Sequence, residues 1–147
     1  MLKKVGRMRS ARRAQGDNEL PPGQFETKKF PVLTFGPAPK LDLDTWRLSV
    51  FGLVEEEITL DWAQFTSLET LRAEAPFHCV TQWSRLQNVW EGPPFAEVMK
   101  LTRPKPEARY VMAHCYGGYT TNLPLDVLMD DDVLLAYRHD GEPLAPE

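Results

Sequence analysis

Hydrophobic and polar positions alternate most cleanly at Trp46, Leu48 and Val50, with Arg47 and Ser49 between them. This is the period of a half-buried strand, and Gly52 ends it. Ile58-Thr59-Leu60 reads as its paired strand, reached through the acidic turn Glu55 to Glu57. A short helix is expected over Asp61 to Leu68, capped by Thr59 or Asp61. A second is expected over Pro93 to Leu101, where Pro94 suits a first turn and Phe95, Val98, Met99 and Leu101 form an apolar stripe. Tyr110 to Cys115 reads as a strand with Val111, Ala113 and Cys115 on one face, which makes Cys115 a packed core thiol. Gly117-Gly118 breaks that ladder. Leu125 to Met129 fits one helical turn and Val133 to Tyr137 another strand, and Asp140-Gly141 is a strong hairpin-turn signal. Phe30 to Pro39 is extended and punctuated by proline. Strands mixed with short helices, without βαβ regularity, give an α+β class, mostly β with mixed sheets.

The chain has 147 residues, 42% hydrophobic and 26% charged, which suits one globular domain. The net charge of −4 is uneven, with six basic residues and no acid among the first thirteen. Residues 1–24 therefore read as a disordered basic tail and residues 25–147 as the folded part. Met1 to Gly16 contain no apolar core of a secretory signal, and no stretch approaches the length of a membrane span. A cytoplasmic protein without nucleic-acid or membrane partners is the expectation.

Two cysteines make no disulfide framework. Each follows a histidine, as His78-Cys79 and His114-Cys115, which invites a zinc reading. Strand geometry weakens it, because neighbouring side chains point to opposite faces. By the same rule His78 is expected on the side away from Cys79. Cys79 is the candidate for chemistry, as a small packed thiol or as a soft metal ligand. Only its thiolate would serve the second role.

The string Cys79-Val80-Thr81-Gln82-Trp83-Ser84-Arg85-Leu86-Gln87-Asn88-Val89-Trp90-Glu91-Gly92 resembles the core motif of the molybdopterin-binding oxidoreductase family, to which sulfite oxidases belong. The resemblance runs from about Lys28 to the end. It implies a sulfite oxidase-like domain, a molybdenum–pyranopterin cofactor and Cys79 as metal and catalytic ligand. Phe77, Val80, Trp83 and Trp90 would wall the metal. The implied cofactor contacts are Phe30, Pro31 and Val32 before the first strand, and His78, Cys79, Val80 and Thr81 around the cysteine. Lys28, Lys29 and Arg85, with hydroxyls of Thr81, Ser84, Thr120 and Thr121, are candidates for a phosphate, and Arg85 also for a substrate oxoanion. Gly117 to Leu125 looks like the family's glycine-tyrosine loop, with Thr121 and Asn122 toward the pterin.

Leu135-Ala136-Tyr137 and Gly141-Glu142-Pro143-Leu144 continue the resemblance, but the family's next His-Gly-x-Pro-x-Arg segment is not reached by Glu147. The reading is an N-terminal portion of a molybdenum-dependent oxidoreductase. It would move an oxygen atom to or from a small oxoanion or S-oxide and use a separate electron-transfer partner. Two alternatives remain: a non-catalytic binding or assembly module, or truncated inactive fragment, retaining the scaffold, and a cysteine hydrolase with His78 or His114 as base.

Overall fold

A computed structural model describes residues 20–31, 33–34 and 36–145, with the backbone alone of residues 9–10. Val32 and most of the basic stretch lie outside the described residues. Arg9–Ser10 forms a short strand (β1) parallel to Leu71–Arg72. Gln24, assigned to the tail by sequence, is half-buried and hydrogen-bonded within the fold.

The chain continues through β2 (Phe25–Glu26), β3 (Arg47–Val50), β4 (Ile58–Asp61) and α1 (Trp62–Thr66). β5 (Leu71–Glu74), β6 (Phe77–His78), β7 (Trp83–Arg85) and β8 (Val89–Gly92) precede α2 (Phe95–Thr102). β9 (Tyr110–His114), β10 (Thr120–Pro124), α3 (Leu125–Leu128), β11 (Arg138–His139) and β12 (Glu142–Pro143) complete it. The result is a mostly β, α+β architecture with mixed sheets. One sheet runs β1-β5-β8-β11-β12, another β2-β7-β6, and β3-β4 and β9-β10 are two-stranded.

Local chemistry explains most of these elements. Asp61 accepts from the Gln64 amide at 2.7 Å while Gln64 Oε1 accepts from the Asp61 amide at 2.9 Å, so both ends of the capping box are made. On α2 the buried residues are Phe95, Val98, Met99 and Thr102, a 3.6-residue stripe. Leu101 is exposed, contrary to expectation. Thr102 takes the interior position because its hydroxyl donates to the Met99 carbonyl at 3.2 Å. Leu48, Val50, Ile58, Val111, Leu125 and Leu135 pack on this helix.

Two further expectations are corrected. Cys115 is exposed, because β9 ends at His114 and the alternation does not extend into the turn beyond. Val133 to Tyr137 is not a ladder. It is an extended run touching Pro93-Pro94 and Glu91 through Leu135 N to Pro93 O, 2.9 Å, and Tyr137 N to Glu91 O, 2.9 Å. Gly92 permits this approach, since a Cβ there would lie 2.0 Å from the Leu135 carbonyl oxygen. The regular strand begins at Arg138, and Asp140 (φ 52°) and Gly141 (φ 84°) make the expected tight turn.

Candidate functional site

β6 and β7 pair antiparallel, with His78 opposite Ser84 and Phe77 opposite Arg85. The four residues between them make the turn that carries Cys79. The Cys79 amide donates to Trp83 O at 2.9 Å and the Gln82 amide to Cys79 O at 3.0 Å. Gln82 closes the turn at φ 70°, an uncommon conformation for a residue with a side chain. Cys79 is a half-buried free thiol, and its Sγ shares a hydrogen bond with Thr81 Oγ1 at 3.1 Å. The Thr81 hydroxyl, then the Thr81 amide, hold the thiol below its ordinary value. Slight burial opposes this, and the Val80 amide adds to the lowering.

Behind the turn the polar groups are tied together. Ser84 is fully buried, and its hydroxyl donates to Gln24 Oε1 at 3.0 Å and meets His78 Nδ1 at 2.8 Å. Gln24 Nε2 in turn donates to the Cys79 carbonyl at 3.0 Å. Ser84 is thus no phosphate contact, contrary to expectation: its hydroxyl is enclosed and committed.

Aromatic rings stand beside the turn. Phe30 lies 5.0 Å from Phe77, 5.3 Å from Trp83 and 6.0 Å from Trp90, and Phe77 stacks on Trp83 at 5.5 Å. These distances suit favourable ring pairs. Trp83 is buried, so the expected wall exists in part. Val80 is 94% exposed and contributes nothing to it.

Arg85 turns to a second cluster. Its Nη1 donates to Asn88 Oδ1 and His139 Nε2, both at 2.8 Å, and its Nη2 pairs with Asp140. His139 Nε2 also lies 3.0 Å from Asn88 Oδ1, so it sits between a guanidinium that only donates and an amide oxygen that only accepts. Burial, first, pushes His139 down and Arg85 adds to this, while Asp140 opposes it. Burial pushes the Asp140 carboxyl up. The Val89 amide, the Arg85 guanidinium and His139 outweigh that and leave it lowered. His139 stacks on Trp90 at 4.2 Å. Arg85, Asn88, Val89, Glu74 and Asp140 line a cavity of about 410 Å³. Gln24, Asn88, His139 and Asp140 had not been singled out as site residues. Asn88 lay within the quoted motif, whereas nothing local marked Gln24.

Thr121 and Asn122 lie on β10 and are exposed. They oppose Ala113 and Met112 rather than forming a loop. Among the described residues no hydrogen bond joins them to the Cys79 turn. Phe30 is placed by its ring contacts, and Pro31 follows it on the surface.

The oxidoreductase molybdopterin binding domain model matches residues 35–147. The chain belongs to this family. It is 41% identical over 137 residues to the uncharacterized oxidoreductase YuiH of Bacillus subtilis, covering 92% of this chain and 69% of that protein. It is 27% identical to the nitrate reductase [NADPH] of Emericella nidulans, over 80% of this chain and 17% of that one. Among solved structures, the sulfane dehydrogenase SoxCD of Paracoccus pantotrophus is similar in fold, with TM-score 0.66 and 22% identity over 75% of this chain and 33% of that one.

Membership implies a molybdenum–molybdopterin cofactor. The residues present fit it. A thiol that hydrogen bonding biases to thiolate is a soft donor, and it stands at a surface turn beside an aromatic wall. Among the described residues no cluster of three or more His, Cys, Asp or Glu side chains could hold a metal by itself, so a metal here would need ligands from elsewhere.

Proposed function

We propose that Cys79 supplies the protein's sulfur ligand to the molybdenum of a bound pyranopterin. On this reading the protein catalyses oxygen-atom transfer to or from a small oxoanion or S-oxide. When bound, the cofactor supplies the two-electron chemistry. The observation that carries the reading is the Cys79–Thr81 contact at 3.1 Å, within the motif of a chain matched by the family model from residue 35 on.

The chain's own residues divide the remaining work. Thr81 and the Val80 and Thr81 amides favour the sulfur anion. The Phe30, Phe77, Trp83 and Trp90 rings limit water on one side. His78, Val80, Pro31 and Val32, with Thr121 and Asn122 of the β9–β10 hairpin, complete the proposed pterin contacts. Lys28 and Lys29 are exposed and available to a phosphate. Arg85 is proposed to touch the cofactor through its side of the Trp90–His139 stack. Its pairing with Asp140 makes it a poor receptor for a substrate oxoanion.

Electrons pass to or from a separate protein, and the reaction belongs in the cytoplasm. Two free thiols support a reducing compartment. No helix among the described residues is long and apolar enough to cross a membrane. The test is elemental analysis of the purified full chain, with oxygen-transfer turnover. Molybdenum should be present, and Cys79→Ser should remove activity. Full turnover by that variant removes Cys79 from the mechanism.

A further inference from the structure

Hydrogen counting behind the Cys79 turn fixes the orientation of one imidazole. Gln24 donates through Nε2 to the Cys79 carbonyl, so its Oε1 must face Ser84. A serine hydroxyl has one hydrogen, and Ser84 spends it on Gln24 Oε1. The 2.8 Å contact between Ser84 Oγ and His78 Nδ1 can then be made only with Nδ1 as donor. A neutral imidazole carrying hydrogen on Nδ1 presents Nε2 as a bare lone pair. Among the described residues that nitrogen has no partner. Full burial of Ser84 makes the arrangement hard to rearrange, because its hydroxyl has no water to replace a lost partner.

We infer that Gln24 and Ser84 are positioning residues that hold the His78 imidazole with Nε2 outward, as an acceptor for an N–H or O–H donor of the bound pterin. The inference rests on the cofactor reading above and gives His78 a defined role within it. It also ties residue 24 to a site 55 residues away in sequence.

Two measurements on the full chain test it. The first is the ¹⁵N spectrum of the His78 ring in cofactor-free protein, taken at alkaline pH where an imidazole is neutral, expected to show the Nδ1–H form. Gln24→Leu frees the Ser84 hydrogen to turn toward Nδ1, and the ring should convert to Nε2–H although residue 24 does not touch it. A wild-type ring already in the Nε2–H form, or one indifferent to Gln24→Leu, overturns the inference.

The second is uptake of molybdenum–molybdopterin. His78→Asn keeps a donor for Ser84 but lacks Nε2, and should bind about three- to tenfold more weakly, the loss expected for one hydrogen bond. Equal uptake by wild type and His78→Asn refutes the pterin contact while the cofactor reading stands. No uptake by wild type refutes that reading, and the contact falls with it.

Discussion

The turns at Cys79 and Cys115 share two backbone hydrogen bonds. Each cysteine follows a histidine at the end of a strand, and its amide donates to the carbonyl four residues on, Trp83 or Tyr119, at 2.9 and 2.8 Å. Each cysteine carbonyl accepts from the amide three residues on, Gln82 or Gly118, at 3.0 and 3.2 Å. The side chains differ. Two residues after Cys79 stands Thr81, whose hydroxyl reaches the sulfur, whereas two residues after Cys115 stands Gly117. Opposite His78 is Ser84, fully buried and bonded to Gln24. Opposite His114 is Thr120, exposed. His114 instead stacks loosely on Phe51 at 6.2 Å. One backbone device thus carries two thiols, and packing beneath the turn equips only one for chemistry.

The contrast can be broken most strongly at the buried hydroxyl. Ser84→Ala leaves His78 and Gln24 without their partner and should cost about 1–3 kcal/mol of stability. Thr120→Ala, its exposed counterpart, should stay within about 0.5 kcal/mol. Urea unfolding of the two variants measures both. Equal costs would mean the two turns are not differently supported.

Next comes the sulfur itself. Thr81→Val removes the contact that most lowers the Cys79 thiol, so its pKa should rise and less thiolate should remain near neutral pH. Alkylation of Cys79 in cofactor-free protein should slow severalfold, while that of Cys115 stays unchanged. Unchanged alkylation of Cys79 would show that Thr81 does not tune it.

The smallest effect is acid sensitivity. His139 lies below its ordinary value of 6.5 when folded, so the unfolded chain binds the extra proton first as pH falls. Stability from the neutral ring is present above 6.5 and is lost as pH drops toward the folded value. Asp140 is also lowered and acts in the same sense in a more acidic range, present above its ordinary 3.8 and lost below. Thermal unfolding of His139→Gln should show a weaker fall in Tm between about pH 6.5 and 5 than wild type. Identical profiles would remove His139 from the acid response.

Sequence legibility divided along the same line. The β3–β4 hairpin, the Asp61 cap and the Asp140-Gly141 turn were readable because their causes lie within a few residues. Cys115 departs from its expected packed position because strand alternation stops at His114, before the turn. Thr102 was missed because a threonine can enter a core through a hydroxyl bond to its own helix. The support of Cys79 was illegible for a different reason. Gln24 reaches Ser84 across 60 residues, and His139 reaches Asn88 across 51. The resemblance to the molybdopterin family singled out Cys79, but not the groups behind it.

β3, α2 and β9 border an apolar groove of about 410 Å³, with Phe51 and Met112 exposed at its rim. His114, the residue before Cys115, lines it together with Phe51.

X-ray absorption at the molybdenum edge, on cofactor-loaded wild type, Cys79→Ser and Cys115→Ser, tests the assignment of the two thiols most directly. Expected is one fewer sulfur neighbour in Cys79→Ser and an unchanged shell in Cys115→Ser. An unchanged sulfur count in Cys79→Ser would contradict the proposed metal–thiolate bond.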